Sequence, residues 1–182
     1  MTDTVGVEGY DVIGDVHGQC DALEQLLTVM GYRSTNGAWR HPSRRAVFVG
    51  DLIDRGPRQI DTVELVRRMV AEGTARMVVG NHEYNAVAYM TEDPDKPGTM
   101  LRRHNAKHNE QHKAFLEQVG KDSARHRAYI DWFTTLPMWT ELDLDGSTLR
   151  VVHACWHAPA MSVLESLSGP GALMTRETVV AT

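Results

Sequence analysis

Val47-Phe48-Val49-Gly50-Asp51-Leu52-Ile53-Asp54-Arg55-Gly56-Pro57 is an apolar run that halts at a glycine and then presents two carboxylates and an arginine in one loop. Ala46 to Val49 is too apolar to have a wet face, so it reads as a strand inside a sheet. Two other stretches share the build. Val12-Ile13-Gly14-Asp15-Val16-His17-Gly18 precedes it, and Met77-Val78-Val79-Gly80-Asn81-His82-Glu83 follows it. Each is a short hydrophobic run, a glycine, and then side chains able to ligate a metal.

The intervening segments decide how the three runs are arranged. From Cys20 to Met30, Leu23, Leu26, Leu27 and Met30 recur at the spacing of one helical face. After Pro57, which suits a first helical turn, Ile60, Val63, Val66 and Val70 mark a second buried face that Gly73 closes. Strand, helix, strand, helix, strand implies parallel pairing with helices packed outside. Ligands of such sheets collect at the carboxyl ends of the strands, where all three polar clusters fall.

Further along, His82 to Met90 reads as a helix, Thr91 to Gly98 as a loop, and Met100 to Val119 as a long polar helix. That helix carries His104, His108 and His112 on successive turns, expected on a solvated face rather than as a zinc site or lid. Ala124 to Thr134 is a further helix anchored by Trp132 and Phe133. Trp139 to Leu144 and Thr148 to Val152 bracket Asp145-Gly146 as a hairpin that ends at His153. Met161 to Leu167 reads as a short helix. Tyr32 to Ser43 is a polar connection with an Asn36-Gly37 turn. Residues 1–9 read as a disordered lead, 10–168 as one domain, and 169–182 as an irregular tail broken by Gly169-Pro170-Gly171.

The chain has 182 residues and a net charge of -5. The acidic balance counts against a nucleic-acid binder held by phosphate contacts, but bound divalent ions invert local charge, so a phosphorylated substrate remains compatible. No apolar run reaches the roughly 20 residues of a membrane span. No secretion signal is visible, and Cys20 and Cys155 match no zinc spacing and read as reduced, buried and inert thiols. Membrane partners are therefore not expected, and a cytoplasmic location is.

A Gly-Asp or Gly-Asn pair alone is an ordinary turn. Three of them after three buried strands, with a later strand-end histidine, are not. Asp15 and His17 stand two apart at a strand end and can face one ion. Asp51 can bridge two ions, Asn81 offers an amide oxygen, and His153 an imidazole. Two ions about 4 Å apart clamp a phosphoryl group and acidify a shared water. His82 could then protonate the leaving oxygen, with Asp54 orienting its ring and Arg55 forked onto phosphate oxygens.

Gly-Asp-Val-His-Gly, Gly-Asp-Leu-Ile-Asp-Arg-Gly and Gly-Asn-His-Glu resemble the three signatures of calcineurin-like metallophosphoesterases. The Asp-Arg-Gly form is similar to the phosphoprotein phosphatase branch, which includes serine/threonine phosphatases and bacterial diadenosine tetraphosphate hydrolases. The resemblance runs from Tyr10 to His157. It implies an α/β fold, a β-sandwich flanked by helices. It implies Asp15, His17 and Asp51 on a first ion and Asp51, Asn81 and His153 on a second, with manganese the expected metal and iron or zinc compatible. It implies His82 as leaving-group acid, Asp54 as its partner and Arg55 as a phosphate clamp, with a metal-bridging hydroxide attacking directly. The family expects one more histidine in a Gly-His segment well after His153. This chain offers only His157, so the second sheet is expected to be incomplete and the second ion weaker. An open sheet edge invites a homo-oligomer. Phosphomonoesters, including phosphoprotein, are the first expected substrates; a dinucleoside polyphosphate is the alternative, and an inactive truncated protein that binds metal and phosphate is the second.

Overall fold

The computed structural model describes residues 7–169 and 171–182. Most of the expected disordered lead and Pro170 lie outside them. Glu8 is already tied in, its N–H donating to Ser43 O at 2.7 Å.

Three strands form the central sheet: β1 (Gly9–Ile13), β4 (Arg44–Phe48) and β5 (Ala75–Met77), ordered β1-β4-β5 and all parallel. The most apolar strand is in the middle, as its sequence requires: Ala46, Val47 and Phe48 are wholly buried. The crossovers are α1 (Cys20–Val29) and α2 (Gln59–Ala71). Their buried positions, Leu23 and Leu27 in α1 and Val63, Val66 and Met69 in α2, join Ile13, Phe48 and Met77 in one core. Pro57 lies ahead of α2 rather than in its first turn, because Arg58 N–H is engaged by Gly18 O at 3.0 Å and the helix starts only after that bond.

The polar connection before β4 is a small antiparallel hairpin, β2 (Arg33–Thr35) with β3 (Ala38–Arg40), turning at Asn36-Gly37. After β5 come α3 (Asn81–Tyr89), α4 (Ala106–Val119) and α5 (Ala124–Phe133), which add Ala86, Val87, Phe115, Ile130 and Phe133 to the same core. The long helix expected from Met100 begins six residues later. Leu101 N–H donates to Thr91 O and Arg102 N–H to Ala88 O, so this stretch is tied back to the end of α3. Asn105 then caps α4 by accepting from His108 N–H at 2.9 Å.

The antiparallel hairpin β6 (Trp139–Leu144) and β7 (Ser147–Val152) covers part of the sheet's other face. Leu142 and Val151 pack on Val47 and Val78 as a second, smaller core. Val12, beside Val47 in the register, is left 55 % exposed. The sandwich is therefore open on that side, as the short second layer implies. Two helices follow the hairpin, α6 (Ala158–Ser168), which buries no residue, and α7 (Arg176–Ala181), which buries Thr178 and Val179. The tail expected to be irregular is thus partly helical, with Tyr84 Oη and Thr182 Oγ1 hydrogen-bonded at 2.8 Å. No helix among the described residues is long and apolar enough to cross a membrane.

Candidate metal centre

The sheet ends where the three loops begin, and their backbones are packed too closely to admit side chains at Gly50, Gly56 and Gly80. Gly50 has φ +101°, and a β-carbon there would land on the backbone of Gly80. A β-carbon on Gly80 would in turn strike Asp51. Only glycine fits this approach, which sets the Asp51 and Asn81 loops edge to edge.

Glu83 closes the same junction and was not singled out from the sequence. Fully buried, it accepts from Gly80 N–H (3.0 Å), Asp51 N–H (2.8 Å) and Leu52 N–H (2.8 Å). Its bond to Gly80 is the glutamate half of a capping box, at the third position of α3; that position after Gly80 was the available signal. Burial pushes its carboxyl above the ordinary glutamate range.

Asp15, His17, Asp51, Asn81 and His153 converge above this floor. His17 Nε2 lies 3.6 Å from Asp15 Oδ2 and 3.8 Å from Asp51 Oδ2. His153 Nε2 is 3.6 Å from the same Asp51 oxygen and 3.0 Å from Asn81 Oδ1. The ligand atoms of Asp15, Asp51 and His153 fall within 4.8 Å of one another, as do those of His17, Asp51 and His82. Atoms each about 2.0–2.2 Å from one ion lie at most about 4.4 Å apart, which the pairs at 3.0, 3.6 and 3.8 Å satisfy.

The rest of each ring supports that reading. His17 Nδ1 donates to Ile53 O at 2.8 Å and His153 Nδ1 to Val49 O at 2.7 Å. A proton fixed on Nδ1 leaves the Nε2 lone pair pointing at the carboxylates, the usual device for orienting a ligating imidazole. His17 Nε2 is buried with no hydrogen-bond partner, a cost that a cation between it and Asp51 removes. The donor set, two imidazoles with carboxylate and amide oxygens, suits borderline divalent ions.

His82 stands apart from these rings in one respect. Its Nδ1 donates to Asp54 Oδ2 at 2.6 Å, and that bond raises its pKa above the ordinary value. A ring whose Nδ1 is committed to a carboxylate and whose pKa is raised is better suited to give a proton than to offer a lone pair, so His82 fits an acid better than a ligand. Burial favours neutral Asp54, but bonds from His112 and His82 outweigh it and hold the carboxyl below its ordinary range. Arg55, exposed and at φ +72°, lines a cleft of about 420 Å³ with His82, Glu110, Gln111, Lys113, Ala114 and Glu117.

The three α4-region histidines do not share one face. His104 stacks on Tyr89 with ring centres 3.7 Å apart, outside the helix. His108 bonds Arg103 O at 2.8 Å. His112, expected on a solvated face, is buried with Phe115 and Val119 and bonds Asp54. Its place at the spacing of those two core residues was readable. His157 is exposed and caps α6, accepting from Ala160 N–H. Cys20 is buried, whereas Cys155, expected to be buried, is exposed.

The family profile of calcineurin-like phosphoesterases matches residues 10–161. The bis(5'-nucleosyl)-tetraphosphatase PrpE [asymmetrical] of Bacillus subtilis (strain 168) is 32% identical over 148 residues, covering 80% of this chain and 57% of that protein. The protein of the same name from Oceanobacillus iheyensis is 30% identical over 145 residues, covering 79% and 55%. The chain thus spans a little over half the length of these relatives. A solved cold-active protein tyrosine phosphatase shares the fold, with TM-score 0.59, 18% identity, and coverage of 97% of this chain and 52% of that one.

Proposed function

Because the chain belongs to the calcineurin-like phosphoesterase family, we propose that it hydrolyses phosphate esters with two divalent cations held by Asp15, His17, Asp51, Asn81 and His153. The observation that carries this reading is the convergence of His17 Nε2 and His153 Nε2 on one oxygen of Asp51, at 3.8 and 3.6 Å, from beyond the carboxyl ends of two different strands. Such cations, when bound, neutralise phosphoryl charge and acidify a water near neutral pH.

The chain's own groups supply the remaining steps. Asp15, His17 and Asp51 form one half of the site, and Asp51, Asn81 and His153 the other. Arg55, on the rim of the cleft, forks onto phosphate oxygens. His82, protonated against Asp54, delivers its Nε2 proton to the departing oxygen. Manganese is the first metal to test, with iron and zinc compatible.

The test is metal titration by calorimetry alongside hydrolysis of p-nitrophenyl phosphate with manganese. The expected result is two bound ions and turnover, both lost in Asp51→Asn. Tight metal binding without turnover would favour a binding protein, and an unaffected Asp51→Asn would end the proposal.

A dinucleoside polyphosphate is the second reading. The cleft beside His82 lies where a leaving group departs, and its volume suits a nucleotide better than a serine side chain. Relatives named as tetraphosphatases point the same way. Diadenosine tetraphosphate turned over faster than a phosphopeptide would favour it; the reverse would favour the phosphoprotein reading.

A further inference from the structure

Asp54 is hydrogen-bonded by two histidines, one on each oxygen. Oδ2 accepts from His82 Nδ1 at 2.6 Å, and Oδ1 accepts from His112 Nδ1 at 2.8 Å. A carboxylate only accepts, so both rings carry a proton on Nδ1. The backbone N–H of Asp54 is also fixed, by Gln59 Oε1 at 2.7 Å. A carboxylate held by one bond can rotate about its last torsion, which is broad and soft. Held at both oxygens, it cannot rotate without breaking one of them.

His112 is built into place rather than leaning in from the surface. It is 4 % exposed and lies among Tyr89, Phe115 and His126, with ring centres 5.4, 5.1 and 6.5 Å away. Its helix is pinned to the loop that carries Asp54. Gln118 Nε2 donates to Pro57 O at 2.7 Å, and Gln118 Oε1 accepts from Gln59 N–H at 2.8 Å. The other ring nitrogen, Nε2, is buried with no hydrogen-bond partner. The one hydrogen bond of the ring is therefore the one to Asp54.

We propose that His112 is a positioning residue: it locks the carboxylate of Asp54 so that the opposite oxygen holds the ring of His82 in one orientation over the cleft. The reaction it serves rests on the function proposed above, but the hydrogen-bond chain is testable without it.

The experiment uses the 182-residue chain and three variants, His112→Phe, His112→Gln and His112→Asn. Phenylalanine fills the space with no donor. Glutamine places its amide where Nε2 lies, away from Asp54. Asparagine places its amide where Nδ1 lies. The first readout is nitrogen-edited NMR of the metal-free chain, following the slowly exchanging Nδ1–H of His82. It is expected in the parent and in His112→Asn, and broadened or lost in His112→Gln and His112→Phe. If His112→Phe does not fold, His112→Gln carries the comparison. An unchanged His82 signal in a folded donor-less variant would overturn the proposal.

The second readout is turnover of phenyl phosphate against p-nitrophenyl phosphate. General-acid help matters more for the poorer leaving group. The donor-less variants should lose about tenfold or more in kcat on phenyl phosphate, clearly less on p-nitrophenyl phosphate, with KM unchanged and recovery in His112→Asn. Equal losses on both substrates would mark a merely structural role and overturn the assignment. A parent chain inactive on both substrates, with the NMR result as expected, would count against the proposed function alone.

Discussion

Four residues bearing side chains hold left-handed backbone angles around the site: His17 (φ +47°), Asp51 (+55°), Asp54 (+70°) and Arg55 (+72°). Such positions cost roughly 1 to 3 kcal/mol each and persist only where the surroundings over-determine them. Here they do. Val16 and His17 N–H both donate to Asp51 O, Gly18 N–H to Leu52 O, and Gly56 N–H back to His17 O. The two loops are thus laced backbone to backbone, and the side chains that need exact aim sit on the laced residues. A different residue contributes to acid sensitivity. His126 is wholly buried, and desolvation pushes its pKa down to about 4. The folded protein keeps it neutral while the unfolded chain takes up a proton below pH 6.5, so its contribution is present above that value and is lost as pH falls toward 4. Between pH 7 and pH 5 this amounts to about 2 kcal/mol. Urea unfolding at the two pH values should show that loss in the parent and a smaller one in His126→Phe. None of this was legible along the chain, because a histidine's burial depends on what the fold lays over it. The Asp-Arg-Gly and Gly-Asn-His-Glu runs were legible, because their chemistry is local.

At the scale of elements, the first turn of α3 does two jobs. It presents Asn81 and His82, and through Glu83 it satisfies backbone N–H groups of its own start and of the Asp51 loop. Glu83→Ala would leave three buried donors unpaired, each costing roughly 1–3 kcal/mol. The expected loss is about 3 kcal/mol or more in unfolding free energy from denaturant titration, together with weaker metal binding in calorimetry. Unchanged stability would mean that water replaces the carboxylate at little cost. The helices also show where reading by period succeeds and fails. α1 and α2 were found from apolar spacing because each buries one stripe against the sheet. The start of α4 was misjudged because a backbone bridge between Glu92 and Met100, not a sequence break, holds the preceding residues out of the helix.

For the whole molecule, the site depends on two layers staying together. Four of the five side chains proposed to hold metal come from loops of the central sheet or from α3; His153 comes from the end of the hairpin. That hairpin is attached by a small core whose buried members are Val47, Val78, Leu142 and Val151. Each such side chain contributes roughly 1.5–3 kcal/mol by leaving water, so the attachment is worth only a few of them. Leu142→Ala removes no ligand, yet it should cost about 2 kcal/mol or more and loosen His153. If the two-cation proposal holds, the expected signature is a weakened second cation in calorimetry while the first, assigned above to Asp15, His17 and Asp51, keeps its affinity. Equal weakening of both would show that the hairpin serves the whole site.

The sequence by itself determined the strand-glycine-ligand pattern, the parallel order of the central sheet and the identity of the residues that meet at its edge. It could do so because strand burial, helical period and ligand chemistry are all written within a few residues. Only the tertiary structure decided that Glu83 clamps two loops, that His112 braces Asp54 from 58 positions away, and that Val12 lies on an uncovered face. Those outcomes depend on which distant surfaces come into contact, and contact between remote segments is a property of the packed chain.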